Sequence, residues 1–155
     1  MQINIKTSGE NQAIVTQLTK KLTGGTKENV IARIALGYSL STGKRFTQQE
    51  FSAYDSQGKE YKDHILFDGQ YRDFYIALIC QAYGITKNDE LIPKYIKQHI
   101  DHGLEKINYL FENNPQYTFF DFLTEYFRKG IDMIEDTPER FDCVENRNQH
   151  ITKSV

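Results

Sequence analysis

Residues 1–42, MQINIKTSGENQAIVTQLTKKLTGGTKENVIARIALGYSLST, decide the fold. In Met1–Lys6 the apolar side chains fall at Met1, Ile3 and Ile5, while Gln2, Asn4 and Lys6 point the other way, the period of two of a half-buried strand. Ser8 is placed to cap a helix that runs to about Leu22 and gathers Ile14, Val15, Leu18 and Leu22 on one face. Gly24-Gly25 ends that helix. Thr26 is the expected cap of a second one, Lys27 to about Ser41, apolar at Val30, Ile31, Ile34, Ala35, Tyr38 and Leu40. A lone six-residue strand leaves its backbone donors and acceptors unpaired, so it needs a partner strand. The simplest partner is the same strand from a second copy. That is ribbon-helix-helix logic, in which a two-stranded antiparallel ribbon shows its polar face to the DNA major groove.

The remaining sequence points to a mainly α protein with three further helices. Asp68 is the expected N-cap of a third helix whose core face is Tyr71, Phe74, Tyr75, Leu78, Ile79 and Ala82, ending at Gly84. A fourth helix, about Asp89 to Glu112, repeats Leu91, Ile92, Tyr95, Ile96, Ile100, Leu104, Ile107 and Leu110 at helical spacing, and Asn113-Asn114-Pro115 stops it. Thr118 and Asp121 form a capping box with Asp in the Glu position. The helix it starts, to about Glu135, is crowded with Phe119, Phe120, Phe122, Tyr126 and Phe127, so it is expected to pack on the body or on another subunit. The polar connector 42–67 is long for a compact domain and is either a functional loop or holds short structure. The expected division is a helical domain over 1–114, with the ribbon-helix-helix-like element at 1–42, and a C-terminal aromatic helix and polar tail over 115–155 packed on the same domain.

Charge gives nucleic-acid binding little direct support. The 155 residues carry a formal net charge of −2, and the pI is about 6.1, far from the basic balance of a typical DNA-binding domain. The distribution is uneven, however. Residues 1–62 hold nine Lys and Arg against five Asp and Glu, and residues 109–155 hold five against nine. Two cysteines make no disulfide framework, and Cys80, within an apolar run, reads as a small buried hydrophobe. With no visible signal peptide and no apolar stretch near the ~20 residues of a membrane span, the expected location is cytoplasmic, with no membrane partner.

No catalytic constellation is legible. The sequence lacks a phosphate loop, a nucleophile elbow, a CxxC and an HExxH, and no carboxylate pair has a spacing that picks out acid-base work. His99 and His102 stand one helical turn apart, but zinc needs two more ligands and no Cys or His cluster supplies them, so neither metal nor cofactor is expected. What remains is a set of basic residues around the strand-helix-helix unit. Lys6 lies on the strand, Lys20, Lys21 and Lys27 bracket the inter-helix turn, and Lys44 and Arg45 follow the second helix. Arg33, inside an apolar helix, has either a structural or a phosphate-contacting role. These seven are the candidate DNA contacts.

The run Asn29-Val30-Ile31-Ala32-Arg33-Ile34-Ala35-Leu36 with Ser39-Leu40 resembles the second-helix signature of the DndE family, small subunits of bacterial DNA phosphorothioation systems. Tyr54-Asp55, Gly58 and Glu60-Tyr61 in the connector, Phe74 and Leu78, and His99-Ile100 with Gly103 match in the same order, over roughly residues 1–110. The resemblance implies a homotetramer related to ribbon-helix-helix proteins that binds duplex DNA, nicked DNA by preference, through surface lysines. It also implies work beside a cysteine desulfurase, a sulfurtransferase-like subunit and an SMC-like ATPase, with no sulfur chemistry in the subunit itself. Two rival readings use the same residues. One is a protein-interaction adaptor without DNA contact, docking through its C-terminal part. The other is a sequence-specific repressor that reads base edges with Gln2, Asn4 and Lys6.

Overall fold

A computed structural model describes residues 2–23 and 27–135. The chain divides into two compact units, Met1–Tyr117 and Thr118–Val155. In the first, a strand β1 (Asn4–Lys6) leads into helices α1 (Gly9–Thr23) and α2 (Glu28–Ser41). A 3₁₀ turn (Gln48–Ser52), a strand β2 (Glu60–Lys62) and a one-turn helix α3 (Asp63–Leu66) follow, then helices α4 (Arg72–Tyr83) and α5 (Ile92–Asn113). The second unit contributes α6 (Phe119–Glu135). The mainly helical architecture with a short N-terminal strand is the one expected from the sequence.

The partner of β1 is not the expected one. β1 pairs antiparallel with β2 of its own chain, in the register Asn4↔Lys62, Ile5↔Tyr61 and Lys6↔Glu60. Thr7 N–H to the Lys59 carbonyl (3.0 Å) and Gly58 N–H to the Thr7 carbonyl (2.8 Å) extend the ladder. The physical reason is that Tyr61 places a large ring on the same buried face as Ile3 and Ile5, all at most 5 % exposed, and closing a loop of this length costs only slowly growing entropy. The 42–67 connector therefore holds short structure.

α5 is the central element, with α2, α1, α4 and β1 against it. Its apolar stripe Ile92, Ile96, Ile100, Leu104 and Ile107 is fully buried, as the 3.6-residue period requires. The closest approach is at Gly103, where an added Cβ would overlap the Ala35 carbonyl oxygen of α2. That crossing explains why α2 buries Ile31, Ala32, Ala35, Leu36 and Ser39, a face rotated from the expected one to include its small residues. α1 begins as expected, with the Ser8 hydroxyl accepting from Asn11 N–H (3.4 Å). A second acceptor comes from α5, since buried Asp101 takes the Ser8 N–H (2.9 Å) and the Asn11 side-chain amide (2.7 Å).

Three local expectations change. Asp68 does not cap α4; the N-cap is Tyr71, because Asp68 (φ 51°) and Gly69 (φ 68°) turn the chain through the left-handed region after α3. The later start alters the buried face. Ile76 and Ile79 are inside, while Tyr71 and Phe74 are 45 % and 60 % exposed. Cys80 is half-buried, with a free thiol. The expected ends of α4 and α5 hold, with Gly84 at φ 64° and Asn114 at the C-cap.

In the second unit the capping box forms. Thr118 N–H donates to Asp121 Oδ2 (2.8 Å) and Asp121 N–H to Thr118 Oγ1 (3.2 Å). Phe119, Phe122 and Tyr126 stack along one side of α6, while Phe120 and Phe127 are 77 % and 61 % exposed. The polar tail from Asp136 lies outside the described residues.

Candidate nucleic-acid interface

Lys20 and Lys21 occupy the last turn of α1, where cations complement the negative end of the helix dipole. Lys27 is the N-cap of α2, in extended conformation (φ −145°, ψ 91°) and without a side-chain cap. Within that first turn the Val30 N–H turns back to the Lys27 carbonyl at 3.2 Å. Thr26, the expected cap, lies outside the described residues. Between these helix ends and β2 runs an open groove of about 510 Å³ that includes Lys20, Lys27, Glu28, Lys59, Glu60 and Tyr61 in its lining. Lys59 Nζ bonds Glu28 Oε2 (2.9 Å), and the Thr16 hydroxyl donates to Glu28 Oε1 (3.0 Å). Burial would raise the Glu28 carboxyl, but these hydrogen bonds outweigh it and hold the group below its usual range.

Lys20 and Lys21 also border a shallow depression along α1 with Gln12 and Gln17. The outer face of the ribbon, opposite Ile5 and Tyr61, carries exposed Asn4, Lys6, Glu60 and Lys62. The groove, the α1 depression and the ribbon face therefore carry Lys6, Lys20, Lys21 and Lys27 from the sequence reading and add Lys59 and Lys62. Those two escaped notice because β2 is only three residues long; the alternation Glu60, Tyr61, Lys62 was the available signal.

The other three candidates stand elsewhere. Lys44 and Arg45 follow the far end of α2, about 21 Å along a 14-residue helix from Lys27. Lys44 Nζ pairs with Glu50 (2.6 Å) and lies 4.9 Å from the Phe46 ring centre. Arg45 donates to the carbonyls of Ala82 and Lys44, each at 2.9 Å. Arg33 is 8 % exposed, with its guanidinium donating to the Leu66 carbonyl (2.6 Å) and 4.9 Å from the Tyr71 ring centre. Of the two roles open to it, this placement is the structural one.

The His99–His102 pair is spoken for. Ser39 Oγ lies 2.7 Å from His99 Nδ1 and 2.8 Å from His102 Nδ1. Tyr83 Oη lies 2.7 Å from His99 Nε2 and accepts the Phe46 N–H at 3.0 Å. One proton assignment satisfies all of them: Tyr83 donates to His99, His99 Nδ1–H to Ser39, and Ser39 to His102. His99 is fully buried, and burial, then the nearby charges of Arg45, His102 and Lys44, push its pKa down to about 3. It is a neutral core imidazole. Among the described residues no group of three or more His, Cys, Asp or Glu is placed to hold a metal, and no described helix is long and apolar enough to cross a membrane.

Comparison with known proteins agrees with this geometry at the level of family and fold. The family model described as "DNA sulphur modification protein DndE" matches residues 4–114. Among solved structures, the crystal structure of DndE from Escherichia coli B7A, involved in DNA phosphorothioation modification, is similar with a TM-score of 0.53 at 15 % identity, over 68 % of this chain and 96 % of that one. No curated protein matches the chain.

Proposed function

The chain belongs to the DndE family of DNA sulphur modification proteins, and from that premise we propose that it is the DNA-binding and assembly subunit of a phosphorothioation complex, without sulfur chemistry of its own. Family membership gives it a role in DNA sulfur modification alongside other components of that system. The proposed finer role is to hold duplex DNA, nicked DNA by preference, and to present it to a sulfurtransferase-like subunit and an SMC-like ATPase. Self-association, as a homotetramer, would multiply a modest basic surface.

The observation that carries this reading is the convergence of Lys20, Lys27 and Lys59 on one open groove at the start of α2. Lysines of this kind bind phosphate with release of counterions, which gives affinity without base readout. A nick lowers the cost of bending the duplex against such a surface. The test is binding to intact and nicked duplexes of one sequence across a salt series, with Lys20, Lys21 and Lys27 changed to Glu. The expected result is tighter binding to the nicked duplex and, in the triple variant, a salt slope flatter by about three. An unchanged slope removes the groove from the interface.

One observation favours the adaptor reading as a second. Phe120, Phe127 and Ile131 of α6, at positions i, i+7 and i+11, form an exposed apolar stripe. On that reading, the chain alone binds neither duplex, and deleting the residues after Pro115 abolishes binding to partner subunits; full retention of partner binding would refute it.

A further inference from the structure

At the floor of the α1–α2–β2 groove lies a group that neither the fold nor the lysine surface accounts for. Tyr61 is 2 % exposed and lines the groove, and its hydroxyl is buried without a hydrogen-bond partner among the described residues. A buried hydroxyl left unpaired costs about 1–3 kcal/mol, and such a group in a native structure calls for an explanation, a bound water, ion or ligand among them. Burial, then the negative charges of Glu28 and Asp101, raise the Tyr61 pKa. The phenol is therefore a donor across the whole physiological range and wants an acceptor.

We infer that this groove is a pocket for a terminal phosphate, a phosphate monoester, with the Tyr61 hydroxyl as its innermost donor. Around the phenol the groove is lined by Lys20 from α1, Lys27 at the start of α2 and Lys59 before β2. The groove also holds two carboxylates, Glu28 and Glu60. Glu28 is already matched by Lys59 and Thr16, so Lys20 and Lys27 meet an incoming anion with Glu60 as the one carboxylate against them in the described lining. A phosphate monoester suits donors converging from three directions, since it carries three terminal oxygens and nearly two charges at pH 7. An internal phosphodiester has one charge and is held in the duplex backbone, whereas a group that reaches a floor donor must protrude. The inference deepens the DNA-binding reading by naming the group at a nick that the groove would take.

The source of the phosphate is either a DNA end or a free phosphate, and the experiment separates them. In one arm, affinities are measured for nicked duplexes of one sequence that carry phosphate, 5′ or 3′, or only hydroxyls at the nick. In the other, the unfolding temperature is followed in inorganic phosphate against chloride at matched ionic strength. Both use the full chain and Tyr61→Phe. The expected result is a preference of roughly tenfold for a phosphorylated nick, the size of one lost charged hydrogen bond, reduced to near unity in Tyr61→Phe. That variant removes only an unpartnered oxygen, so it should unfold no earlier than the native chain. Nicked DNA bound without regard to its phosphate, with no protection by free phosphate, overturns the pocket and leaves the lysine surface standing. Protection by free phosphate that is lost in Tyr61→Phe, with no DNA bound, keeps the pocket and overturns the DNA reading. Phosphate effects that survive in Tyr61→Phe, or a marked loss of its stability, show that the phenol is structural and end the proposal.

Discussion

Lowering the pH from 7.5 to 5.0 places a proton on His99 in the unfolded chain but not in the folded one. The ordinary imidazole value is 6.5, and in the fold His99 is pushed down to about 3 by burial and by the positive charges of Arg45, His102 and Lys44. Its contribution to stability is therefore complete above pH 6.5 and is lost as the pH falls from 6.5 towards 3. Integrated between the two values, the shift corresponds to about 5 kcal/mol in all, of which about 2 kcal/mol is gone at pH 5. His102, lowered by burial, Lys106 and Lys44, adds to the loss with the same sign. The paired carboxylates act in a more acidic window, since Glu50 is held down to about 2 by Lys44 and the Thr47 amide. Urea unfolding at pH 7.5, 6.0 and 5.0 is the assay, and a loss of about 2 kcal/mol moves the midpoint by roughly 1 M for a protein of this size. His99→Gln cannot titrate; whatever its absolute stability, its midpoint should move much less over the same range. A native midpoint that stays fixed from pH 7.5 to 5.0, or an equal slope in His99→Gln, would refute the assignment of His99 as a neutral core imidazole.

Two further outcomes follow from packing. Gly103→Ala drives a Cβ into the Ala35 carbonyl, backbone that cannot step aside without parting α2 from α5. Its cost should be about 3 kcal/mol or more, measured by thermal unfolding; a change under about 1 kcal/mol would mean the two helices separate freely. Asp101→Ala takes the carboxylate from Lys97, whose Nζ lies 2.8 Å from Asp101 with a side chain only 12 % exposed and keeps the Tyr54 carbonyl at 3.2 Å, and it removes the acceptor of Ser8 N–H. A loss of about 3–5 kcal/mol is expected, with amides at the start of α1 exchanging faster in hydrogen-exchange measurements; unchanged protection there would disprove the cap from α5.

Helix periods, caps and stops were local, so they could be read along the chain. The α5 stripe from Ile92 to Ile107, the Ser8 cap, the Gly84 terminus and the Thr118–Asp121 box each depend on residues within a turn or two of one another. The same is true of lysines grouped around a turn, hence Lys20, Lys21 and Lys27. Arg33 marks the limit. Its sequence position allowed two roles, and only the arrival of Leu66 and Tyr71 at its guanidinium chose one.

What the sequence could determine by itself is a mainly helical chain, its element order, its family resemblance and the basic turn between α1 and α2, because these rest on spacing and on residue type. Tertiary structure decided that β1 pairs with β2 of its own chain, that Ser39 and Tyr83 occupy the nitrogens of His99, and that Lys59 and Tyr61 join Lys20 and Lys27 around one groove. Those contacts join residues about 16 to 60 positions apart, and no periodicity reports on them. They exist because burying Ile3, Ile5 and Tyr61 together, and crossing α2 over α5 at Gly103, brings distant segments within hydrogen-bond reach.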